Sequence, residues 1–373
     1  MKLLSLLGVS VALVLCQPAI VQADQLLYLA STKDKSIVAY SVDNRSGKLQ
    51  RKFQVELPGN AGPLTFSPDK KFVYAAVTGL KGRTAGVTTF QRNADGTLHL
   101  LATAKIKTRT PYIRADRSGK YLLAAHYATG EVTVYRIVDG LCTDEMVEYL
   151  KTEKTAHCVE FDPSGKFVFV PHTSPNKVYQ YRLDAKTGKL IPNDHPFVKG
   201  PDENHNYHQP RHYAHHPTLN MAYTSNEKGG GISAWKFDPK KGTLKLMQTL
   251  PTLPQDFTGR SAAADIHISP NGRFVYVSNR DVTQERTAGK DTLAGFSLDP
   301  KTGKMTSIGH FATTRVPRSF CIDLTGQFLY AVGQRSHKLF AYRINQKTGK
   351  LSHFATLETG GVPIWVMCGE VGR

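Results

Sequence analysis

The sequence predicts an all-β fold, a β-propeller of seven four-stranded blades. Three observations predict it: a turn-and-strand pattern that recurs along the chain, a second turn built around glycine, and two chain ends that each carry part of a repeat. No helical periodicity accompanies these repeats, which excludes a fold of alternating helices and strands.

The first recurring unit is a turn rich in Asp, Ser, Pro and Gly, followed by a strand of alternating apolar residues. An aromatic residue or Met opens each of these strands, and its position recurs about every fifty residues, which is typical of propeller blades. The copies are SPDKKFVYAAV (67–77), DRSGKYLLAAH (116–126), DPSGKFVFVPH (162–172), HPTLNMAYTSN (216–226), SPNGRFVYVSN (269–279) and DLTGQFLYAVG (323–333).

The second recurring unit is a turn around glycine, which supplies the positive φ that a tight hairpin requires. It reads DNRSGKL, NADGTL, DAKTGKL, DPKKGTL, DPKTGKM and NQKTGKL in chain order. With both turns in place, each repeat consists of four short strands joined by hairpins.

The two ends of the chain predict how the ring closes. The N-terminal segment QLLYLASTKDKSIVAYSVDNRSGKL begins at the second strand of a repeat, and the C-terminal GVPIWVMC resembles the first strand VPRSFCI (316–322). We therefore expect the C-terminal strand to complete the N-terminal blade, which gives seven blades and removes exposed sheet edges. Residues 24–373 would then form a single propeller domain.

Residues 1–23 have the pattern of a cleaved signal peptide: one lysine, an apolar stretch from Leu3 to Cys16, and small residues before the expected cleavage site. The apolar stretch is too short for a membrane anchor, and Leu15 disfavours lipoprotein processing at Cys16. We expect an exported protein, periplasmic or secreted, with no membrane insertion after cleavage.

The net charge of +18, from 48 Lys and Arg against 30 Asp and Glu, favours small anionic ligands or an anionic surface. The basic residues are dispersed, many in KTGK-like turns, so we expect no nucleic-acid partner.

The cysteines at 142, 158, 321 and 368 lack the spacing of a disulfide framework or a zinc site, and we expect them to be reduced and buried. We expect a monomer.

Polar residues fall at two positions of the repeat. The first, five residues before the first turn, holds Gly62, Pro111, His157, Arg211, Ala264 and Arg318. The second, six residues after the aromatic or Met, holds Thr78, Tyr127, Thr173, Glu227, Arg280 and Gln334. Because antiparallel pairing brings both positions to the same end of a blade, we expect them to ring one mouth of the central channel.

This ring predicts a small-anion pocket with acid/base capacity, to which Asp265 and His267 add on the sixth blade. Mutual pairing of these groups in a polar channel would produce the same pattern without function. Among the nearby histidines, His216 replaces the usual Asp or Ser of its turn, and His212 and His215 are interpreted as packing residues. We predict no metal site, because the histidines lack a ligand spacing with an acidic partner.

At these residues the chain resembles the lactonase-type seven-bladed propeller family, and among its branches the bacterial 6-phosphogluconolactonases more than the fungal carboxymuconate-lactonizing enzymes. The similar segments are QPRHYAHHPTLNMAYTSNE, SAAADIHISPNGRFVYVSNR, PRSFCIDLTGQFLYAVGQRSHKLFAYRI, AHCVEFDPSGKFVFVPH and GVPIWVM. They occur in the family's order and cover residues 25–368.

The resemblance implies a cofactor- and metal-independent hydrolase of a sugar lactone, with His157, Arg211, Glu227 and Arg280 as catalytic residues. Either His157 or Glu227 could be the general base, and the arginines could bind a phosphate, a carboxylate or the oxyanion. The predicted substrate-binding residues are Asp265, His267, Arg318 and Gln334. Two alternatives stay open: a carboxymuconate-type lactonizing cyclase, and a non-catalytic exported propeller that binds an anionic ligand.

Overall fold

A computed structural model describes residues 24–204, 207–283 and 291–371. These residues form 28 strands and contain no helix. None of them forms a helix long and apolar enough to cross a membrane. The predicted signal peptide, residues 1–23, lies outside the described residues.

The strands are arranged in seven groups of four, here called blades 1 to 7. Blade 1 contains β1 (Gln25–Ser31), β2 (Ser36–Val42), β3 (Leu49–Glu56) and β28 (Pro363–Glu370). Blade 2 contains β4 (Asn60–Phe66), β5 (Phe72–Leu80), β6 (Arg83–Arg92) and β7 (Leu98–Lys105). Blade 3 contains β8 (Tyr112–Ala115), β9 (Tyr121–His126), β10 (Glu131–Val138) and β11 (Leu141–Lys151). Blade 4 contains β12 (Glu160–Phe161), β13 (Phe167–His172), β14 (Lys177–Leu183) and β15 (Leu190–Lys199).

The remaining three blades follow the same order. Blade 5 contains β16 (His208–His215), β17 (Met221–Lys228), β18 (Gly231–Asp238) and β19 (Thr243–Pro251). Blade 6 contains β20 (Ser261–Ile268), β21 (Phe274–Asp281), β22 (Thr292–Leu298) and β23 (Met305–Ala312). Blade 7 contains β24 (Pro317–Ile322), β25 (Phe328–Gly333), β26 (Lys338–Ile344) and β27 (Leu351–Glu358). The prediction of an all-β, seven-bladed propeller is confirmed.

Neighbouring strands within each blade pair antiparallel, and blades 5 and 6 are linked by one further pair, Lys228 with Ala262. In blade 1 the C-terminal strand β28 pairs antiparallel with β1, from Gln25 opposite Glu370 to Ser31 opposite Pro363. The two chain ends therefore share one sheet, which is the arrangement that their sequences predict.

Seven clusters of buried apolar residues lie between successive blades. One of them joins blade 7 to blade 1 through Phe328 and Tyr330 on one side and Leu27 and Leu29 on the other. Burial of these apolar surfaces stabilises the ring, since each blade has two faces to remove from water.

Tyrosine hydroxyls add a directional contact between blades. In most blades the tyrosine on the second strand donates a hydrogen bond to a backbone carbonyl in or beside the glycine turn of the next blade. Tyr28 donates to Gly96 at 2.6 Å, and Tyr330 of blade 7 donates to Gly47 of blade 1 at 2.8 Å. These bonds satisfy buried hydroxyls that would otherwise be costly.

The recurring first turn depends on one side-chain acceptor. Asp162 accepts a hydrogen bond from the Phe167 amide at 2.8 Å, and Ser67 accepts one from the Phe72 amide at 2.9 Å. In blade 5 the Nδ1 of His216 accepts from the amides of Thr218 and Leu219. His216 thus replaces the usual Asp or Ser of the turn, as its position in the repeat predicts.

Candidate functional site

Two cavities lie at opposite ends of the innermost hairpins. A cavity of 720 Å³ is lined by residues of the first turns, including Pro68, Asp116 and Pro270. A smaller cavity of 210 Å³ is lined by residues at the other end of these hairpins, including Gly62 and Pro111. We call the smaller one the arginine cavity, because Arg109, Arg211 and Arg318 line it.

Four of the innermost strands that line the arginine cavity, β4, β16, β24 and β28, are locally irregular. In blade 5 the pairing slips between Pro210 and His212, so Arg211 is a bulge residue, and in blade 7 the same slip leaves Arg318 unpaired. A bulge inserts one extra residue and re-aims the side chains around it, and bulges are common beside active sites. The same bulge therefore recurs in several blades around the channel, and each blade places a different side chain at it.

Left-handed backbone precedes several of these positions. The residues two before His157, Arg211 and Arg318 all have positive φ; they are Thr155 at 67°, Gln209 at 69° and Val316 at 57°. Before Ile364, which occupies the corresponding position of β28, Val362 has a φ of 59°. This conformation is unfavourable for β-branched residues, and such strain concentrates at functional sites.

The two polar positions of the repeat meet at this mouth with an offset of two residues. Thr78 lies opposite Asn60, and Arg280 lies opposite Ala262, each two residues before the first position of its strand. One residue of this offset is present in the regular register, where Phe66 pairs with Val73, and the bulge adds the second. The two positions thus lie at the same end of each hairpin, but they are not paired directly with each other.

The carboxylate of Glu227 joins two of the predicted catalytic arginines. Its Oε1 accepts a hydrogen bond from Nη2 of Arg280 at 2.7 Å and lies 3.8 Å from Nε of Arg211. Arg280 also donates to the carbonyls of Ala262 and Ala263, which fixes its guanidinium. Burial opposes ionisation of Glu227, but Arg211 and Arg280 lower its pKa below the ordinary value, so it is an anion at neutral pH.

Arg211 is buried without sufficient partners. Only 1% of its surface is exposed, and neither its Nε nor its Nη1 has a hydrogen-bond acceptor among the described residues. Burial, together with the charges of Arg280 and Arg318, lowers its pKa from the ordinary value. Unmet donors on a buried cation are costly, so their presence in a cavity wall indicates a place for an anionic ligand.

Arg318 adds a third cation at the same mouth. Burial and the charge of Arg280 lower its pKa to about 10, so it is protonated at neutral pH. Arg211, Arg280 and Arg318 thus outnumber the carboxylates beside them, Glu227 and Asp265, which leaves an excess of positive charge at the cavity. Guanidinium groups bind phosphate and carboxylate oxygens in pairs, which suits such a ligand.

A histidine–aspartate pair spans blades 5 and 6 beside the arginines. Nδ1 of His212 lies 2.8 Å from Oδ1 of Asp265, and both residues are buried. The pKa of Asp265 is well below its ordinary value: burial opposes ionisation, but His267 and His212 outweigh it. An ionised carboxylate only accepts hydrogen bonds, so the proton of neutral His212 is on Nδ1 and its Nε2 carries a lone pair.

Nε2 of His212 has no partner among the described residues, and His212 lines the arginine cavity. Burial and the nearby charge of Arg211 lower the pKa of His212 to about 4, so the ring is neutral at pH 7. A neutral imidazole held in this way can act as a base. The sequence alone led to the interpretation of His212 as a packing residue. The signal available in the sequence was its position directly after Arg211.

His157 lies beside this pair. Its ring centroid is 5.0 Å from that of His212, and its Nδ1 is buried without a partner among the described residues. Burial and the charge of Arg211 hold its pKa well below the ordinary value, so it too is neutral at pH 7. His157 therefore offers one nitrogen donor or acceptor to a molecule in the cavity.

The structure distributes the remaining predicted residues between the two mouths. Arg318 and Gln334 line the arginine cavity. His267 lines the 720 Å³ cavity instead, where its side chain is 41% exposed and its Nε2 lies 3.2 Å from Oδ2 of Asp265. Asp265 thus lies between the two mouths and contacts a histidine on each side.

The side chain of Trp365 lies between the two cavities. Trp365 lines both of them, and its ring is 5.3 Å from Tyr112 and 6.3 Å from His212 between centroids. Within the ranges that the structure describes, no group of three or more His, Cys, Asp or Glu residues is placed to hold a metal ion.

Comparisons with known proteins agree with this architecture. A family model described as "Lactonase, 7-bladed beta-propeller" matches residues 26–368. A 6-phosphogluconolactonase of Yersinia pseudotuberculosis is 32% identical over 92% of this chain and 97% of its own length.

Solved structures of lower identity show the same fold. A periplasmic gluconolactonase of Pseudomonas aeruginosa superimposes with a TM-score of 0.80 at 24% identity, over 94% of this chain and 100% of that one. A protein from Lactobacillus plantarum gives a TM-score of 0.81 at 23% identity, over 94% and 100%. Together with the family match and the Yersinia relative, they lead to one conclusion: the chain belongs to the lactonase family of seven-bladed β-propellers, a family of lactone hydrolases.

Proposed function

We propose that this protein hydrolyses the lactone ring of an anionic sugar acid, in the manner of a 6-phosphogluconolactonase, and that the reaction takes place in the arginine cavity. The observation that carries the proposal is Arg211, a buried cation in the cavity wall with two donor nitrogens that make no hydrogen bond to the described residues. The relative from Yersinia, named as a 6-phosphogluconolactonase, supports the same substrate class.

The cavity volume suits a small substrate. Pockets for drug-sized ligands span about 300–1,000 Å³, and the arginine cavity measures 210 Å³. We assign the phosphate or another anionic group of the substrate to Arg211 and Arg318. Gln334, on the same wall, can bond to sugar hydroxyls.

We assign the general base to His212. Its Nε2 would remove a proton from water as the water oxygen attacks the lactone carbonyl carbon, and Asp265 would stabilise the imidazolium that forms. Glu227 fits this role less well, because its Oε1 already accepts a hydrogen bond from Arg280. We assign to Glu227 the positioning of the arginines, and to His157 a hydrogen bond to substrate.

Collapse of the tetrahedral intermediate completes the reaction. The arginine nearest the carbonyl oxygen would stabilise the oxyanion, since a preorganised cation requires no reorganisation as charge develops. The C–O bond to the ring oxygen then breaks, and the His212 imidazolium returns its proton to that oxygen. The products are a carboxylic acid, which ionises to release one proton, and a free hydroxyl group.

The direct test is hydrolysis by residues 24–373, followed by pH-stat above the spontaneous rate. We expect faster turnover of 6-phosphogluconolactone than of glucono-δ-lactone, and a loss of about 100-fold or more in kcat/KM on Arg211→Ala. Arg92→Ala is the matched control, because Arg92 is a buried arginine that donates to the hydroxyl of Tyr28 away from both cavities.

Three results would oppose the proposal. Equal losses in both variants would indicate a structural role for Arg211, and equal rates on both lactones would remove the anionic preference. No turnover above the spontaneous rate would favour a non-catalytic propeller that binds anions. Ring closure of a carboxymuconate in the same assay would instead favour the cyclase.

We also propose that the protein is exported and works as a monomer. The support is the signal-like pattern of residues 1–23 and the fold shared with a protein named as a periplasmic gluconolactonase. N-terminal sequencing of the protein from the medium or periplasm should begin at Asp24, and light scattering should give one chain per particle. An uncleaved N-terminus in the cytoplasmic fraction would contradict export.

A further inference from the structure

Two cysteines meet at the junction where the ring closes. Cys321 lies on β24, the innermost strand of blade 7, and Cys368 lies on β28, the innermost strand of blade 1. Their sulfur atoms are 3.5 Å apart. Among the four cysteines of the described residues this is the one sulfur–sulfur contact, and Cys142 and Cys158 are buried singly.

The surroundings of the pair make it accessible and fix its geometry. Both cysteines line the 720 Å³ cavity, and Cys368 is partly exposed whereas Cys321 is buried. The two strands are also in contact next to the pair, where the amide of Val366 donates to Oγ of Ser319 at 3.3 Å. A shift of about 1.5 Å would bring the sulfur atoms to the usual bond length of about 2.05 Å.

We propose that Cys321 and Cys368 form a disulfide that fastens the C-terminal strand of blade 1 to blade 7. The oxidant is a small or protein disulfide that exchanges with thiols. The thiolate of Cys368, the more exposed sulfur, attacks that disulfide, forms a mixed disulfide and releases one thiol. The Cys321 thiolate then attacks Cys368 and releases the second thiol. One disulfide is formed, one is reduced to two thiols, and the thiolates' protons pass to solvent or to the leaving thiolates.

The position of the crosslink determines its effect. The strand β28 is held in its sheet by β1 alone and lies innermost. A covalent bond to β24 adds a second attachment, from β28 to the inner strand of the neighbouring blade 7. It also closes the chain between residues 321 and 368, which lowers the entropy of the unfolded state.

The experiment uses the mature protein, residues 24–373, equilibrated with oxidised glutathione and with a reducing control. Thiols are counted in denaturant after removal of the reagent, and the crosslinked peptides are identified by mass spectrometry. We expect the count to fall from four to two and the crosslink to join the peptides of Cys321 and Cys368. The oxidised form should melt about 5 °C higher than the reduced form.

Matched variants separate this pair from the other cysteines. Cys142→Ser and Cys158→Ser should still lose two thiols, and Cys368→Ser should form no crosslink and show no rise in Tm. If the serine variant folds poorly, two other controls prevent the crosslink: the Cys368→Ala variant, and alkylation of the native protein with N-ethylmaleimide. Four thiols that persist at equilibrium, a glutathione adduct without a crosslink, or a crosslink to Cys142 or Cys158 would overturn the proposal.

Discussion

Oδ1 of Asp265 lies 2.8 Å from Nδ1 of His212, across the boundary between blades 6 and 5. The contact sets the tautomer of the histidine and leaves its Nε2 free at the arginine cavity. Two residues that are 53 positions apart in sequence therefore act as one unit.

The pair makes a first prediction. Asp265→Asn replaces an obligate acceptor by a group that can present an amide donor to Nδ1, which favours the wrong tautomer and removes the charge that stabilises the imidazolium. We expect kcat for lactone hydrolysis to fall by about 100- to 10,000-fold with little change in KM.

The control for this variant is His267→Gln, which removes the other histidine partner of Asp265 and leaves the contact with His212 intact. It should retain kcat within a few-fold. A loss in His267→Gln as large as in Asp265→Asn would assign Asp265 to general support of the channel. Steady-state kinetics and the pH profile of kcat distinguish the two.

A second prediction concerns the anion between the arginines. Glu227→Gln leaves Arg211, Arg280 and Arg318 without a carboxylate, so their mutual repulsion should lower the free energy of unfolding by about 2 kcal/mol. Inorganic phosphate should then restore stability, because it takes the place of the lost charge. We expect phosphate to raise the Tm of the variant more than that of the unmodified protein.

Denaturant titrations at constant ionic strength, with chloride as the comparison anion, check this expectation. Equal stabilisation of both proteins by phosphate and chloride would indicate general screening of the surface. In that case the arginine cavity would not be a specific anion site.

A third prediction concerns stability at acid pH. Burial lowers the pKa of His172, His212 and His215 to about 4 each, below the ordinary value of 6.5. Between pH 6.5 and 4 the unfolded chain binds protons that the folded chain excludes. The free energy of unfolding should therefore fall as the pH falls through this range, by up to about 1.4 kcal/mol per pH unit for each histidine.

His172 allows this effect to be tested outside both cavities, because it contacts Thr152, which follows blade 3, and the carbonyl of Val170 in its own strand. In His172→Gln the slope of unfolding free energy against pH should decrease between pH 6.5 and 4. Urea titrations at half-unit pH steps measure it. An unchanged slope would show that His172 is not protonated on unfolding in this range.

A fourth prediction concerns the contact between the last blade and the first. Tyr330→Phe removes the hydroxyl that donates to the carbonyl of Gly47 and leaves that carbonyl without its partner. We expect a loss of about 1–2 kcal/mol in the free energy of unfolding. Tyr276→Phe is the comparison, because its hydroxyl donates in the same way to the carbonyl of Gly349 in the next blade; by urea titration it should cost a similar amount.

Much of the architecture was predictable because a repeat carries its own geometry. The first turns recur with Asp, Ser or His as the amide acceptor, and the ends of the chain resemble the two parts of one blade. Alignment of the hairpins alone, with no measured distance, predicts which residues lie at one mouth of the channel: Arg211, Glu227, Arg280 and Arg318.

The proposed base, His212, could not be found in this way. Regular alternation along a strand would direct His212 to the face opposite Arg211. The bulge between Pro210 and His212 adds a residue, and both side chains line the same cavity. The partner of His212 is on another blade, and nothing in the local sequence indicates an inter-blade contact. The sequence likewise predicts His267 at the substrate site, whereas its side chain lines the 720 Å³ cavity.

The shared first blade has a consequence for the order of folding. Its inner strand β28 follows every other strand of the described residues in chain order, whereas its partner β1 precedes them all. Until residues 363–370 are available, β1 has an unpaired edge and the ring cannot close. Such a contact between distant parts of the chain slows folding. The ring stays open until this strand pairs, and removal of residues 363–370 should leave the edge of β1 exposed and cause aggregation.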